Sequence, residues 1–292
     1  MQVAIIGGTG FVGSHVTRAV LDAGHTVSLL VRSTGTKVPA GVTSFVGDIS
    51  DTDSLARLCQ GADAVIYLVG IIREFPPVVT YKTSHVYGVI NTISAMKRCG
   101  VTRLLHMSAL GSEFESPSGY LRTKYDAEII VRQSSLTETI FKPSVIFGPG
   151  DGFINLLRRL TKLPIVPMIG DGHYPLQPVS VYDIAAGFAA ALTTPAMEGK
   201  CYEIGGPTVY AYRDLLDTVA RLQGKGVPLK VPQPIALMRL LATLFGKFAF
   251  FPLTTDQLYM LQKGSQTVDM RMFEDAGIAP QSLESRFATD YT

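Results

Sequence analysis

Residues 3–6 read Val-Ala-Ile-Ile, an apolar run with no polar position on either parity. A strand patterned this way is buried on both faces, as in a parallel sheet covered by helices. Further strand-like runs fall at 26–31, 43–46, 64–68, 103–107 and 139–142, and helical stretches lie between them at 11–23, 53–59, 80–99 and 119–133. Such alternation predicts an α/β fold with a doubly wound parallel sheet and right-handed crossovers. Ligands in such folds bind outside the carboxyl ends of the strands. The pattern loosens after residue 142, where Pro143, Pro149, Pro164, Pro167, Pro175 and Pro178 punctuate a loop-rich stretch around one helix at 153–160. A helix at 182–192 is expected to return to the sheet. Beyond it come a strand at 202–204, a helix at 212–222, a strand at 229–231 and helical pieces at 235–251 and 255–263. The expected organisation is a nucleotide-binding domain over 1–142, with a returning segment near 176–195. A smaller, interleaved substrate or partner lobe then occupies mainly 143–292.

The first strand runs directly into Gly-Gly-Thr-Gly-Phe-Val-Gly. Gly7, Gly10 and Gly13 recur every three residues, and Gly8, Gly10 and Gly13 also satisfy G-x-G-x-x-G, with Thr9, Phe11 and Val12 completing the turn. Glycine at the first position permits a turn that a Cβ forbids, the middle glycine lets a pyrophosphate approach the backbone, and the last lets the helix pack closely on the strand. The helix from Phe11 then aims its free N–H groups and positive dipole end at the phosphates. A strand before the glycines and a helix after them is the context that a dinucleotide-binding Rossmann turn requires.

Composition narrows the classes. Of 292 residues, 47% are apolar, enough for a sizeable core, and the net charge of +2 with no long basic run excludes nucleic acid as the expected partner. Cys59, Cys99 and Cys201 are scattered, without metal-ligand spacing, which points to a reducing compartment and against zinc or a disulfide framework. The first strand begins at residue 2 and leaves no room for a leader, so the expected location is cytoplasmic. The five histidines show no ligand spacing. Asp151 is expected to order its glycine-rich loop.

An NAD site places an acid about 20 residues past the glycines to bind the ribose. Arg32 stands there instead, with Ser33 and Lys37 close behind. A guanidinium pairs well with a 2′-phosphate, so NADP(H) is expected in preference to NAD(H). Asp48, followed by Ile49, is placed either to reach the adenine or to order the turn and cap the next helix. Tyr120 and Lys124 sit one helical turn apart on one face. A nearby ammonium is expected to lower the tyrosine pKa and ready it for proton exchange with a substrate hydroxyl or carbonyl. Ser108 and Ser112, after the strand at 103–107, are candidates to orient the substrate oxygen, the alternative for Ser108 being a local bond at the strand end.

Together these residues resemble the short-chain dehydrogenase/reductase superfamily in its extended or atypical branch. The motifs are GGTGFVG, GDISD, YLRTK and KPSVIFGPGD, with VSVYDIA and YEIGGPTVYAYRDLL extending the match over most of the chain. The last two look most like the nucleotide-binding accessory subunit of respiratory complex I and its free-standing bacterial relatives. That resemblance implies a tightly held NADPH beside a membrane-bound, quinone-handling machine. It also implies that the backbone of Pro143, Ser144, Val145 and Ile146 lies near the nicotinamide. Two departures bear on turnover: only 12 residues separate Ser108 from Tyr120, and Ala109 falls where active members carry a catalytic Ser or Thr.

Residues 235–253 are very apolar yet carry Arg239 and Lys247, a poor transmembrane span. They suit an interfacial helix peripheral to the inner membrane, a contact with a respiratory complex, a dimer contact or a lid over an apolar pocket. The leading expectation is an NADP(H)-dependent oxidoreductase on a hydrophobic carbonyl, alcohol or quinone-like substrate. A non-catalytic NADPH-binding accessory protein and a nucleotide-sugar epimerase or dehydratase are the alternatives.

Overall fold

Seven parallel strands make the central sheet: β1 (Gln2–Ile6), β2 (Thr26–Val31), β3 (Val42–Val46), β4 (Ala64–Tyr67), β5 (Arg103–Met107), β6 (Thr137–Pro143) and β7 (Lys200–Ile204). They lie in the order β7-β6-β5-β4-β1-β2-β3. The computed structural model describes residues 1–246, 248 and 251–291; Lys247, one of the two cations assigned to the apolar helix, lies outside them. Strand order reverses between β1 and β4, both paired in parallel. That reversal is the switch point at which open α/β sheets bind ligands.

The apolar run of β1 is buried as its pattern requires: Val3, Ala4, Ile5 and Ile6 have no exposed surface. Their alternate sides meet two helical layers. Ala4 and Ile6 join Val65, Tyr67 and Leu104 against α2 (Thr52–Cys59), α3 (Gly88–Cys99) and α4 (Gly119–Arg132). On the other face α1 (Phe11–Asp22) packs beside α5 (Val181–Ala191), and Phe188 of α5 stacks on Phe141 of β6 at 4.1 Å. Edge strand β3 is mostly exposed, so its apolar pattern carries less burial than that of β1.

The chain divides into two compact units, one of Met1–Pro143, Val181–Ile204 and Asp269–Ala279, the other of Ser144–Ser180, Gly205–Val268 and Pro280–Thr292. The second unit has its own core of Phe147, Ile154, Leu157, Leu215, Val219 and Phe287, built from helices Phe153–Leu160, Tyr212–Leu222 and Leu283–Asp290. In it strands Ile165–Ile169 and Leu229–Gln233 pair in parallel. Helix Ile235–Phe245 follows directly and stops six residues short of the expected end. Asp151 does order its loop, its carboxylate accepting the Ile154 and Gly148 amides at 2.7 and 3.3 Å. In the first unit the helix expected over 80–99 begins as a π-helical turn, Lys82–Tyr87, before α3.

Candidate functional site

The turn between β1 and α1 has the form the glycines require. Gly7 takes φ +88°, and a Cβ at Gly13 would lie 2.0 Å from the Gly7 carbonyl oxygen. Gly8 is equally confined, against Leu29 and Thr17, so two of the four glycines serve packing. Gly10 differs: a Cβ there would meet only the Gly7 oxygen, at 3.4 Å, so this face is open to a ligand. Gly10 is also the N-cap of α1, which has no side-chain cap and no acid in its first turn. The amides of Phe11, Val12 and Gly13 have no acceptor within the helix and point their dipole outward. A cradle of backbone donors with room at its middle glycine fits a pyrophosphate, with Thr9 exposed beside it.

Arg32 is exposed immediately after β2, the strand next to β1, and Ser33 and Lys37 are exposed with it. Among the described residues no hydrogen bond or ion pair engages the Arg32 guanidinium. The Ser33 and Thr36 hydroxyls lie 3.2 Å apart and tie this loop together. Asp48 orders the turn after β3, its Oδ1 accepting from the Ser50 amide at 2.9 Å and hydroxyl at 2.6 Å. The cap of α2 is Asp51, which accepts from the Asp53 amide. The Ile49 carbonyl accepts from Asn91 on α3 at 2.9 Å.

From the glycine turn the site continues along the chain leaving β4. A Cβ on Gly7 would touch Leu68 and Val69 backbone at 3.0 Å, and one on Gly70 would meet the Lys124 Nζ at 3.2 Å. Lys124 is buried and donates to the Met107 carbonyl at 2.9 Å and the Val69 carbonyl at 3.4 Å. Burial lowers its pKa to about 8, against the Glu128 charge, which raises it. One turn earlier on α4, Tyr120 lies edge-on to His85 at 5.4 Å and to Tyr81 at 5.9 Å. Burial pushes its phenol up to about 12, contrary to the expected lowering by Lys124. Desolvation disfavours phenolate here, so Tyr120 is a neutral phenol at neutral pH.

His85 shows what the sequence did not signal. Sitting on the π-helical turn, its Nε2 accepts from the Ile71 amide at 3.2 Å, and its Nδ1 lies 2.9 Å from the Thr123 hydroxyl. The amide assigns Nε2 as acceptor and thus Nδ1 as the protonated nitrogen. Burial, then the Lys124 and His106 charges, drive its pKa down to about 2. His106 on β5 stacks on Tyr67 at 5.9 Å; it too is held neutral, at about 3, by burial and Lys124. Among the described residues neither His106 ring nitrogen has a hydrogen-bond partner.

Ser108 and Ser112 are brought together, and both turn to the same acceptor. Their hydroxyls donate to Oε1 of buried Glu128, whose Oε2 pairs with Lys142 Nζ at 3.3 Å. Ser108 thus bonds a carboxylate from α4, a partner neither sequence reading of it contained. Tyr120, Lys124 and Glu128 are spaced i, i+4, i+8, so one helix face carries all three. That spacing was available in the sequence; the serines' approach, 16 and 20 residues away, was not. Pro143 ends β6 and its carbonyl accepts the Leu110 amide at 2.9 Å. Ser144, Val145 and Ile146 belong to the second unit. There the Ser144 hydroxyl donates to the Ser265 carbonyl at 3.0 Å, the Val145 carbonyl accepts the Val179 amide at 2.9 Å, and Ile146 pairs with Val179.

Comparison with known proteins agrees with this geometry. A family model described as NAD(P)H-binding matches residues 7–195. The mitochondrial NADH dehydrogenase (ubiquinone) 1 alpha subcomplex subunit 9 of Arabidopsis thaliana is 28% identical, over 96% of this chain and 74% of that protein. The ceramide reductase of Caulobacter vibrioides is 28% identical, over 67% of this chain and 62% of that protein. Among solved structures, the NADPH-dependent quinone oxidoreductase QOR2 of Escherichia coli, complexed with NADPH, superposes with a TM-score of 0.77 at 19% identity, covering 98% of each chain. A nucleoside-diphosphate-sugar epimerase from Staphylococcus aureus does so with a TM-score of 0.80 at 20% identity, covering 98% of this chain and 99% of the other. These two likenesses establish the fold and not the substrate. A family match over most of the chain, on a sheet whose switch point holds an open glycine cradle, makes this chain a member of the NAD(P)H-binding family.

Proposed function

We propose that the protein is an NADPH-dependent reductase of a hydrophobic carbonyl or quinone-like compound, with Tyr120 as proton donor. A nicotinamide dinucleotide bound at the glycine turn would supply hydride chemistry. Its pyrophosphate would rest on the Gly10–Gly13 cradle, and Arg32, Ser33 and Lys37 would take the 2′-phosphate of NADPH, with NAD(H) a weaker ligand. The single observation that carries the reading is the unbroken path from Gly7 through Val69 and Gly70 to buried Lys124, with Tyr120 one turn away on α4. A neutral phenol suits the reductive direction, because the substrate oxygen must gain a proton. Lys124, fixed on two carbonyls, supports the negative charge that Tyr120 acquires on giving that proton up. Ser108 acts through its bond to Glu128 as a positioning group. The name of the Caulobacter relative, a ceramide reductase, agrees with an apolar substrate.

A second reading has its own support: both candidate serines are held by Glu128, Ala109 is buried, and several relatives are named as subunits of NADH dehydrogenase. In it NADPH is structural and the protein is an accessory part of a respiratory or quinone-handling assembly, peripheral to a membrane. The epimerase reading rests on fold likeness alone.

One experiment separates the first two. The purified protein is loaded with NADPH and its absorbance followed on adding a panel of quinones and apolar ketones. The reductase reading expects turnover that falls about 100-fold or more in Tyr120→Phe, with NADPH affinity retained. Unchanged turnover in that variant overturns the role of Tyr120. Tight, unreactive NADPH favours the accessory reading.

A further inference from the structure

The second unit presents an apolar face that its own core does not cover. Strands Ile165–Ile169 and Leu229–Gln233 pair in parallel with Leu229 opposite Ile165 and Val231 opposite Pro167. These positions, with Leu163 and Val227 two residues earlier on each strand, share one parity and therefore one face. All six are exposed, Leu229 to 63% and Ile165 to 50%, whereas Val166 and Met168 between them are buried. The first strand has thus spent one face on the core and left an apolar one in solvent, and the second, with Lys230 half-buried and Pro232 exposed, adds its own apolar positions to that open face. Helix Ile235–Phe245 follows the second strand after a single residue and repeats the imbalance. Ala242 alone is buried, while Leu237, Leu240 and Leu244, spaced on one side of the helix, are exposed.

Charge says what covers this surface. Across residues 157–170 and 218–253 the chain carries eight lysines and arginines and no aspartate or glutamate, so the remaining residues sum to −6; of the eight, Lys230 is ion-paired with Asp217, just before the second stretch. Arg159 and Lys162 precede the first strand and Arg221 and Lys225 the second; all four are exposed. The two strands are parallel, so these cations collect at one end of the pair. That end is tied by Gln223 Nε2 to the Thr161 hydroxyl at 2.7 Å. Arg239 adds a cation on the helix. A second copy of the chain would bring like charges together, and interfaces with other proteins are depleted of lysine. Exposed leucine, isoleucine and valine flanked by unopposed cations are what an anionic bilayer surface accepts. Among the described residues no helix is long and apolar enough to cross a membrane, so the contact is superficial.

We propose that this face, the Ile165–Ile169 and Leu229–Gln233 pair with helix Ile235–Phe245, docks on an anionic lipid bilayer. Apolar side chains enter the headgroup boundary, and Arg159, Lys162, Arg221 and Lys225 meet lipid phosphates. This goes beyond the reductase reading and uses no residue of the nucleotide site. NADPH affinity, measured on the same preparations, therefore keeps failure of the two proposals apart.

The test is co-sedimentation of the full chain with vesicles of phosphatidylcholine alone and of equal parts phosphatidylcholine and phosphatidylglycerol. The proposal expects binding to the anionic vesicles only, weakening between about 0.1 and about 0.5 M salt. Lys162→Glu and Lys225→Glu should each weaken it about fivefold or more, and the double variant Leu229→Asp/Leu240→Asp should abolish it. All variants change exposed side chains, and an unaltered NADPH affinity shows that they fold. Absence of the protein from both vesicle pellets overturns the proposal. So does anionic binding that these variants leave unchanged, or a dimer in sedimentation velocity that Leu229→Asp dissolves while vesicles remain unbound.

Discussion

Acidifying the protein from about pH 7.5 to about pH 5 should weaken its fold through two histidines, and His106 isolates the effect. His106 and His85 are held neutral in the folded chain, at about 3 and about 2, chiefly by burial, whereas an unfolded histidine titrates at 6.5. Below 6.5 the unfolded chain takes up protons that the folded chain refuses, so this stability is present above 6.5 and lost as pH falls toward the folded values. At about pH 5 the loss is about 2 kcal/mol per histidine. The figure is set by the distance from 6.5 and barely changes while the folded pKa stays below about 4. His106→Leu removes one of the two groups. Near pH 7.5 it also relieves two buried nitrogens without partners, worth about 1–3 kcal/mol, and gives up a ring stack on Tyr67 worth about 0.5–1.5 kcal/mol. Urea denaturation of both proteins at both pH values is the assay. The expected result is a variant about as stable as the parent or somewhat more so near pH 7.5, losing about 2 kcal/mol less on acidification. Equal acid losses in the two proteins would refute the argument, because they would mean that His106 does not resist protonation.

Other expectations concern the nucleotide site. Gly13→Ala places a methyl 2.0 Å from the Gly7 oxygen and should impair both folding and nucleotide binding, whereas Gly10→Ala should fold with an unchanged melting temperature and lose affinity only; calorimetry with a binding titration distinguishes them. If its ammonium assists binding, Lys124, with a pKa of about 8, makes NADPH affinity fall as pH rises from about 7 to about 9, by up to about tenfold, and Lys124→Met should be flat over that range. In the free protein the same lysine works in the opposite sense on stability. Between about 8 and 10.5 only the unfolded chain keeps its proton, so this group stabilises the fold as pH rises through that window, as pH-dependent denaturation of Lys124→Met against the parent would show.

How much of this was legible depended on distance along the chain. The parallel sheet could be read because its central strands, β1 and β4, are local apolar runs, and β1 is buried on both faces as its composition required. The short strands Ile146–Phe147, Pro175–Leu176, Val179–Ser180 and Tyr210–Ala211 carry two residues each, too few for any period, and exist through long-range pairing. The π-helical turn at Lys82–Tyr87 hid inside a sound helical pattern, since one extra residue per turn leaves composition unchanged. In the site, the open face at Gly10 followed from the glycine spacing, while the commitment of Ser108 and Ser112 to Glu128 did not. The tyrosine pKa was misjudged for a related reason: spacing announces a neighbouring lysine, but the depth of burial that outweighs it is a property of the folded chain.

The central claim is that the glycine turn holds a dinucleotide and that Arg32 selects its phosphate. Fluorescence titration of NADPH and NADH against the parent protein and Arg32→Ala tests it directly. The account predicts tighter NADPH binding by the parent, and a loss of about tenfold or more for NADPH in the variant with little change for NADH. Equal affinity of the parent for the two nucleotides, or equal losses in the variant, would contradict it.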